Sequence, residues 1–527
     1  IVVTSDSQNG FLSNYNLIYT PGAGTLGRWG TTDFDSRADW FYELGLDANS
    51  LSGETAAFAP QFVDVDGLDD DFHVQATSPA IDLGFLDDFF ENELGAHGGR
   101  INVGAYGNTA EAANSPPEVI QVLSPNGLEK YESGQTISIA WHQHGAFVNR
   151  VDDSALVTIE LVNATTLANV ETIIANTLLT GGAYDWTIPT SVPVDQEYLI
   201  RITAEDALGT VADLSNEPFQ IANAGNNYYV NLAGDTDLTD NEYTTAPGSN
   251  ANTGKTPGSP LSSLRTLLAG YELQLGDTVF VDTGVYDLDA SIVITANDSG
   301  VRILGAVGEG HETVLDRGNT ASGSYVILLQ DADDVILESL SVTGGYQGIV
   351  ADGSDSDNVT ILNSRIYENA RDQIWFTNTN DNLTVQDNEI FGIAGTTFAG
   401  IIASGNQVTL IGNDIHTNDR GIHFLTVGVT PVTDLTVSGN TVHDNSSRGI
   451  FVSNVRGSAT ISENVVYANG LVGIDVFGIG AETIVENNQV YDNIFGGITG
   501  QRVTIRNNTV WSNGANGIFL TGSAGVD

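Results

Sequence analysis

Cysteine and methionine are both absent from this chain, and lysine occurs only at Lys130 and Lys255. Without cysteine there is no disulfide staple, no thiol nucleophile and no thiolate-ligated metal. With no lysine beyond Lys255, a lysine base is ruled out for the second half of the chain. Positive charge is scarce: 17 basic residues face 67 acidic ones, a formal net charge of −50. Such a balance speaks against nucleic acid and anionic membranes as partners, and suits high salt, bound divalent cations or both. No apolar run is long enough to span a bilayer and no signal peptide is present, so membrane insertion is not expected. The chain opens on Ile1-Val2-Val3, inside an expected strand. The expectation is an excerpt of a longer, processed polypeptide, for which a missing signal says nothing about location.

What is abundant is repetition. Seven short apolar tracts, from Val359-Thr360-Ile361 to Val503-Thr504-Ile505, are each followed by a second apolar pair ending in an aromatic or His. Those closing residues are Tyr367, Phe391, His416, His443, Tyr467, Tyr491 and Trp511, at spacings of 24, 25, 27, 24, 24 and 20 residues. A third tract opens on Gly-Ile at Gly400, Gly421, Gly449, Gly473, Gly497 and Gly517. Strands this short, joined by Gly- and Asn-bearing bends without a helical period, form stacked coils rather than leucine-rich or helical repeats. One Asn file runs through Asn388, Asn413, Asn440, Asn464, Asn488 and Asn508, a second through Asn369, Asn418, Asn445, Asn469, Asn493 and Asn513. Each Asn is placed to bend the backbone and bond its amide to the coils above and below.

Through its N-x-[IV]-[HYW]-x-N-x(3)-G-I pattern the chain resembles the right-handed parallel β-helix of the pectate-lyase-like superfamily. Lyases, hydrolases, epimerases, adhesins and phage spikes share that fold, so the resemblance implies architecture rather than activity. The expected class is all-β, with β-helix solenoid segments flanking one β-sandwich. Residues 1–115, with Asn14 to Tyr19, Pro60 to Asp64 and Gly98 to Gly107, resemble the closing coils and cap of bacterial surface β-helix proteins. Residues 116–224 begin at a Pro116-Pro117 linker and alternate with period two around Trp141 and Trp186; they resemble immunoglobulin-like or fibronectin-like modules. Residues 225–527 resemble the entry of a second β-helix, with a capping helix expected over Leu261 to Leu273, followed by its coils. The order end, sandwich, start leads to the expectation of a tandem array, or a subunit associating head to tail into a filament.

Two functional readings follow. The first is a structural repeat of an extracellular or cell-surface fibre, sheath or adhesin, calcium-stabilised and without a catalytic role. Its metal ligands are expected at Asp64, Asp66, Asp69 and Asp71, and at Asp235, Asp237 and Asp240, where carboxylates alternate as in flexible calcium loops. Asp352, Asp355 and Asp357 form a third acidic cluster, read as a solvated turn. The alternative is a polysaccharide lyase or C5-epimerase acting on an acidic glycan. Its residues are Arg420 and Arg448, one coil apart, with His416, His423 and His443 and partners among Asp414, Asp444 and Asp475. Strand alternation turns His423 outward if Ile422 and Phe424 point inward. His416 and His443 also read as members of the aromatic file, stacked at coil spacing, and that file as a platform for sugar rings or a neighbouring fibre.

Overall fold

The computed structural model describes all residues except 23, 146–155, 178–181, 207–208, 309, 352, 354, 377–378, 426–433, 456, 479–482 and 522–527. Two compact units divide the chain, one built from residues 1–225 and 269–271, the other from 226–268 and 272–527.

In the second unit the coils wind into three parallel sheets. Among the described residues the first holds 11 strands, from Asn227–Val230 to Thr504–Arg506. The second holds 10, from Gly284–Asp287 to Thr509–Trp511, and the third 10, from Ile292–Thr295 to Ile518–Leu520. Each strand pairs in register with its counterpart one coil on, so every position becomes a file. Ile361, Val385, Leu410, Val437 and Ile461 run inward along the first sheet. Ile366, Ile390, Ile415 and Val442 do so along the second, and Ile374, Ile401, Ile422, Ile450 and Ile474 along the third. All are buried. Each such aliphatic side chain contributes about 1.5–3 kcal/mol by leaving water.

The asparagine files close the bends. Asn388 donates from Nδ2 to Asn413 Oδ1, Asn413 to Asn440, Asn440 to Asn464 and Asn464 to Asn488, at 2.9–3.0 Å. Each Oδ1 also accepts a backbone N–H of the preceding coil. A second ladder links Asn418, Asn445, Asn469, Asn493 and Asn513. Asn369 stands outside it, because Ile393 occupies the intervening rung; Asn369 Nδ2 turns instead to Gln373 Oε1 at 2.9 Å. The Gly-Ile pairs have a packing cause. A Cβ added at Gly421 would lie 2.5 Å from Val442 Cγ1 and 2.7 Å from Gly449 O, and Gly473 is similarly crowded. Only glycine lets this ladder pass so close to the third sheet. The entry helix is shorter than expected, Leu264–Gly270.

In the first unit, Ala183–Thr187, Thr136–Gly145 and Glu118–Ser124 form one sheet. The other runs Asn169–Thr177, Leu156–Asn163, Gln196–Asp206, Phe219–Ala222 and Lys130–Glu132, with Gly209–Leu214 on Gln196–Asp206. Trp141, Trp186, Ile159, Ile200, Tyr198 and Phe219 form the core. Tyr198 donates its hydroxyl to Pro193 O at 2.6 Å, a side-chain tie of the kind that pins a corner of Ig-like sandwiches. Among the described residues 1–115, parallel pairing is limited to Val2–Val3 with Gly27–Trp29 and Leu17–Tyr19 with Leu51–Gly53, while Thr32–Phe34 pairs antiparallel to Gly27–Trp29 and Phe62–Asp64 pairs antiparallel to Asp71–Val74. They also hold a helix the strand patterns did not foresee, Arg37–Leu44, capped by Ser36 and ended by Gly45 in the left-handed conformation.

Candidate functional site

His423 lies between Ile422 and Phe424, which are 1% and 0% exposed, and so faces outward from the third sheet. Its file reads Trp375, Ile402, His423, Phe451, Asp475 and Thr499. The imidazole stacks on Phe451 at 4.9 Å. The Arg448 guanidinium sits 4.6 Å from the same ring and donates from Nε to Asp475 Oδ2 at 2.5 Å. Arg420 Nη1 lies 3.3 Å from His423 Nδ1. Arg420, His423, Arg448 and Asp475 are thus brought together as the sequence proposed, with Phe451 as an unforeseen floor. Alternation and coil alignment pointed to Phe451, but an apolar residue in a repeat of apolar residues carried no chemical flag.

The imidazole's protonation follows from its neighbours. A guanidinium offers only donors, so Nδ1 must accept and the neutral ring carries its proton on Nε2. Burial first, then the charges of Arg420 and Arg448, push the His423 pKa down to about 4. Nε2–H and Arg420 Nε are buried and, among the described residues, have no hydrogen-bond partner. His423 is only 9% exposed. A ring that is covered, neutral and a donor at its free nitrogen is a poor general base. Burial raises the Asp475 carboxyl, while Arg448 acts against that rise. What meets solvent is the pair of guanidinium groups, about one-third exposed. Two coils before Arg420, Arg371 lies 4.9 Å from the Trp375 ring and 5.6 Å from Phe398, and 3.1 Å from buried Asp372.

His416 and His443 are elsewhere. They belong to the second sheet, in a ladder of stacked rings: Tyr367, Phe391, His416, His443, Tyr467, Tyr491 and Trp511, with centroids 4.3–5.2 Å apart. Asp414 and Asp444 bond the two nitrogens of His443 at 3.0 and 2.7 Å, and Glu389 lies 3.5 Å from His416 Nε2. Neither imidazole joins the His423 cluster. Because successive rings cover one another, their faces point along the coil axis and only edges point outward. A sugar platform needs open faces, so the ladder stiffens the stack instead.

The residues expected as metal ligands lie at two turns of the chain. Asp64, Asp66, Asp69 and Asp71 lie at the hairpin joining Phe62–Asp64 to Asp71–Val74. Asp64 Oδ1 accepts from Asp66 N, and Asp71 Oδ1 meets both His73 N and His73 Nδ1. Asp235 accepts from Asn231 and from Asp237 N; Asp237 accepts from Thr239, and the Asp240 carbonyl from Thr283. Among the described residues no three His, Asp or Glu side chains are grouped to hold a metal ion. Asp355 N donates to Asp331 Oδ1 one coil before, and Asp357 donates its N–H to Asp333 Oδ1 and accepts from Asp381 N one coil on, while Asp352 lies outside the described residues.

Comparisons with known proteins agree with the winding of the chain. The family model described as "Right handed beta helix region" matches residues 276–400, 326–490 and 399–527. The Kre9/KNH-like N-terminal Ig-like domain matches 124–221. Similar solved structures include pectate lyase Pel9A, with 17% identity, 54% of this chain and 79% of that chain covered, and a TM-score of 0.41. An alginate lyase from Paenibacillus sp. str. FPU-7 shares 16% identity over 47% of this chain and 93% of its own, TM-score 0.32. The catalytic unit of a thermostable GH87 alpha-1,3-glucanase from Streptomyces thermodiastaticus strain HF3-3 shares 13% over 72% and 80%, TM-score 0.31. Likenesses at this level are silent on chemistry. No curated protein matches the chain, and no helix among the described residues is long and apolar enough to cross a membrane. By sequence family and by its three-sheet winding, the chain carries a right-handed parallel β-helix over residues 276–527, preceded by an Ig-like domain over 124–221.

Proposed function

We propose that the β-helix is an adhesive element of an extracellular surface that binds an acidic polysaccharide on the outer face of its third sheet. The observation that carries this reading is the guanidinium pair Arg420 and Arg448, on consecutive coils, flanking a neutral His423 stacked on Phe451. In a chain with 67 acids and 17 bases, paired guanidiniums that are partly open to solvent offer a carboxylate charge-assisted donors. The covered imidazole, whose acceptor nitrogen is taken by Arg420, favours recognition over proton abstraction.

The test is binding of polygalacturonate and alginate, with neutral dextran as control, alongside ultraviolet detection of the unsaturated ends that a lyase would release. Salt-sensitive retention of the acidic chains, lost in Arg420→Ala/Arg448→Ala and without new unsaturated ends, is the expected result. Unsaturated product would replace this reading with the lyase; retention of neither acidic polymer would end both.

A structural role in a stiff surface fibre rests on separate observations, the two Asn ladders and the seven-ring stack, which tie each coil to the next. Electron microscopy of the native material addresses it: rods of regular axial repeat are expected, and isolated particles would exclude a filament.

A further inference from the structure

The first unit holds a cleft of about 400 Å³ where residues 15–100 meet the strand Glu118–Ser124 and the loop after Leu214. It has nothing to do with the guanidinium pair and does not depend on how that site is read. Tyr15 lines it with φ at 56°, the only aromatic among the described residues in the left-handed region. A bulky side chain is strained in that region, so the backbone at Tyr15 is held by its surroundings. The Tyr15 ring lies 5.3 Å from that of Phe85, which is 41% exposed.

Around this aromatic pair stand groups suited to hydroxyls. Asn49 and Asn216 line the cleft, and among the described residues neither side-chain amide is hydrogen bonded to the chain. Asn126 spends its Oδ1 on Asn216 N, at 2.7 Å. Asp213 receives Val122 N on Oδ2, at 2.8 Å. Arg100 is the cation here, and it is already engaged. Nε donates to Gly84 O, Nη1 to Gln121 Oε1 and Nη2 to Leu83 O and Gly84 O, at 2.6–3.0 Å, with the residue 6% exposed. With that guanidinium committed, and Asp87 and Asp213 also on the wall, an anion would find repulsion and little free donor capacity. Amides, an acceptor carboxylate and an aromatic pair instead match a ligand whose hydroxyls both donate and accept and whose C–H face is apolar.

We infer that the cleft bounded by Tyr15, Phe85, Asn49, Asn126, Asp213 and Asn216 is a second carbohydrate site, taking a neutral sugar of one or two rings. Calorimetric titration of the full chain with glucose, galactose, mannose, maltose and cellobiose, and with glucuronate as the anionic control, tests it. At least one neutral sugar is expected to bind with a Kd below about 10 mM, and glucuronate more weakly. Tyr15→Gly removes the ring and relieves the strained φ, so the variant folds, and binding falls about tenfold. Asn216→Ala, at an exposed position, weakens binding about fivefold. Absence of binding by every neutral sugar, tighter binding of glucuronate, or unchanged affinity in both variants would each overturn the inference. Retention of acidic polysaccharide by Tyr15→Gly keeps this outcome separate from that of the guanidinium pair.

Discussion

Arg448 Nε donates to Asp475 Oδ2 at 2.5 Å, joining side chains one coil apart, and the carboxylate it meets is only 3% exposed. Arg448 is the cation bonded to that buried charge. Arg448→Ala should therefore destabilise by about 3 kcal/mol, because it strands a buried carboxylate. Asp475→Asn in the same chain should recover much of the loss. Urea denaturation of the two variants measures it, and an equal loss in both would show that the ion pair is not the cause.

Asn440 sits mid-ladder, accepting from Asn413 and donating to Asn464 Oδ1 and Leu410 O. Asn440→Ala leaves several buried partners without their bonds and is expected to cost about 3 kcal/mol or more. Asn508→Ala, on a half-exposed rung, should cost about 1 kcal/mol. A shared solvent-insensitive value for both would contradict burial as the source of the ladder's strength.

Tyr467 lies between His443 at 4.8 Å and Tyr491 at 5.1 Å, nearly parallel to both. Tyr467→Phe keeps the stack and should leave thermal stability almost unchanged. Tyr467→Ala breaks two ring contacts and should cost about 1–3 kcal/mol. Equal melting temperatures for the two variants would remove the ladder from the account of stiffness.

Two groups give pH dependences of opposite sign. Burial lifts Asp213 from 3.8 to about 6. The folded protein then holds a proton the unfolded chain releases, so stability falls as pH rises from about 4 through about 6. Asp213→Asn keeps an acceptor for Val122 N and should abolish that fall. His423 is held at about 4 against 6.5. Here the unfolded chain binds the proton first, so stability is lost as pH drops from 6.5 towards 4. His423→Phe should flatten this window alone. Melting curves across pH for the two variants separate the slopes, and a slope of the reverse sign in either window would refute its assignment.

Much of the solenoid was open to reading because its physics is local and repeated. Each coil restates an apolar tract, an Asn bend and a Gly-Ile turn, so register follows from alignment alone. His423 could be placed outward, and Arg420 and Arg448 on adjacent coils, by counting residues. Where the repeat faltered, so did the reading: Ile393 breaks the second ladder, and Gln373 takes up Asn369. Helix Arg37–Leu44 was written in Ser36, Asp39 and Gly45, yet it lies in a segment of short, irregular strands where no period draws attention to it.

The sequence by itself determined the winding, the inward files, the asparagine rungs and the acidic character of the surface, since all depend on composition and period. Only the tertiary structure decided which histidines share a face, because His423 lies on a strand of the third sheet and His416 and His443 on strands of the second, and the side chains of the two sheets leave the coil in different directions. It also decided that the stacked rings hide their faces, that Arg420 makes His423 a donor at Nε2, and that Tyr15 meets Asp213 across a cleft. Except for Arg420 and His423, those relations join residues a coil or more apart in the chain, and distance in space is set by packing rather than by spacing in sequence.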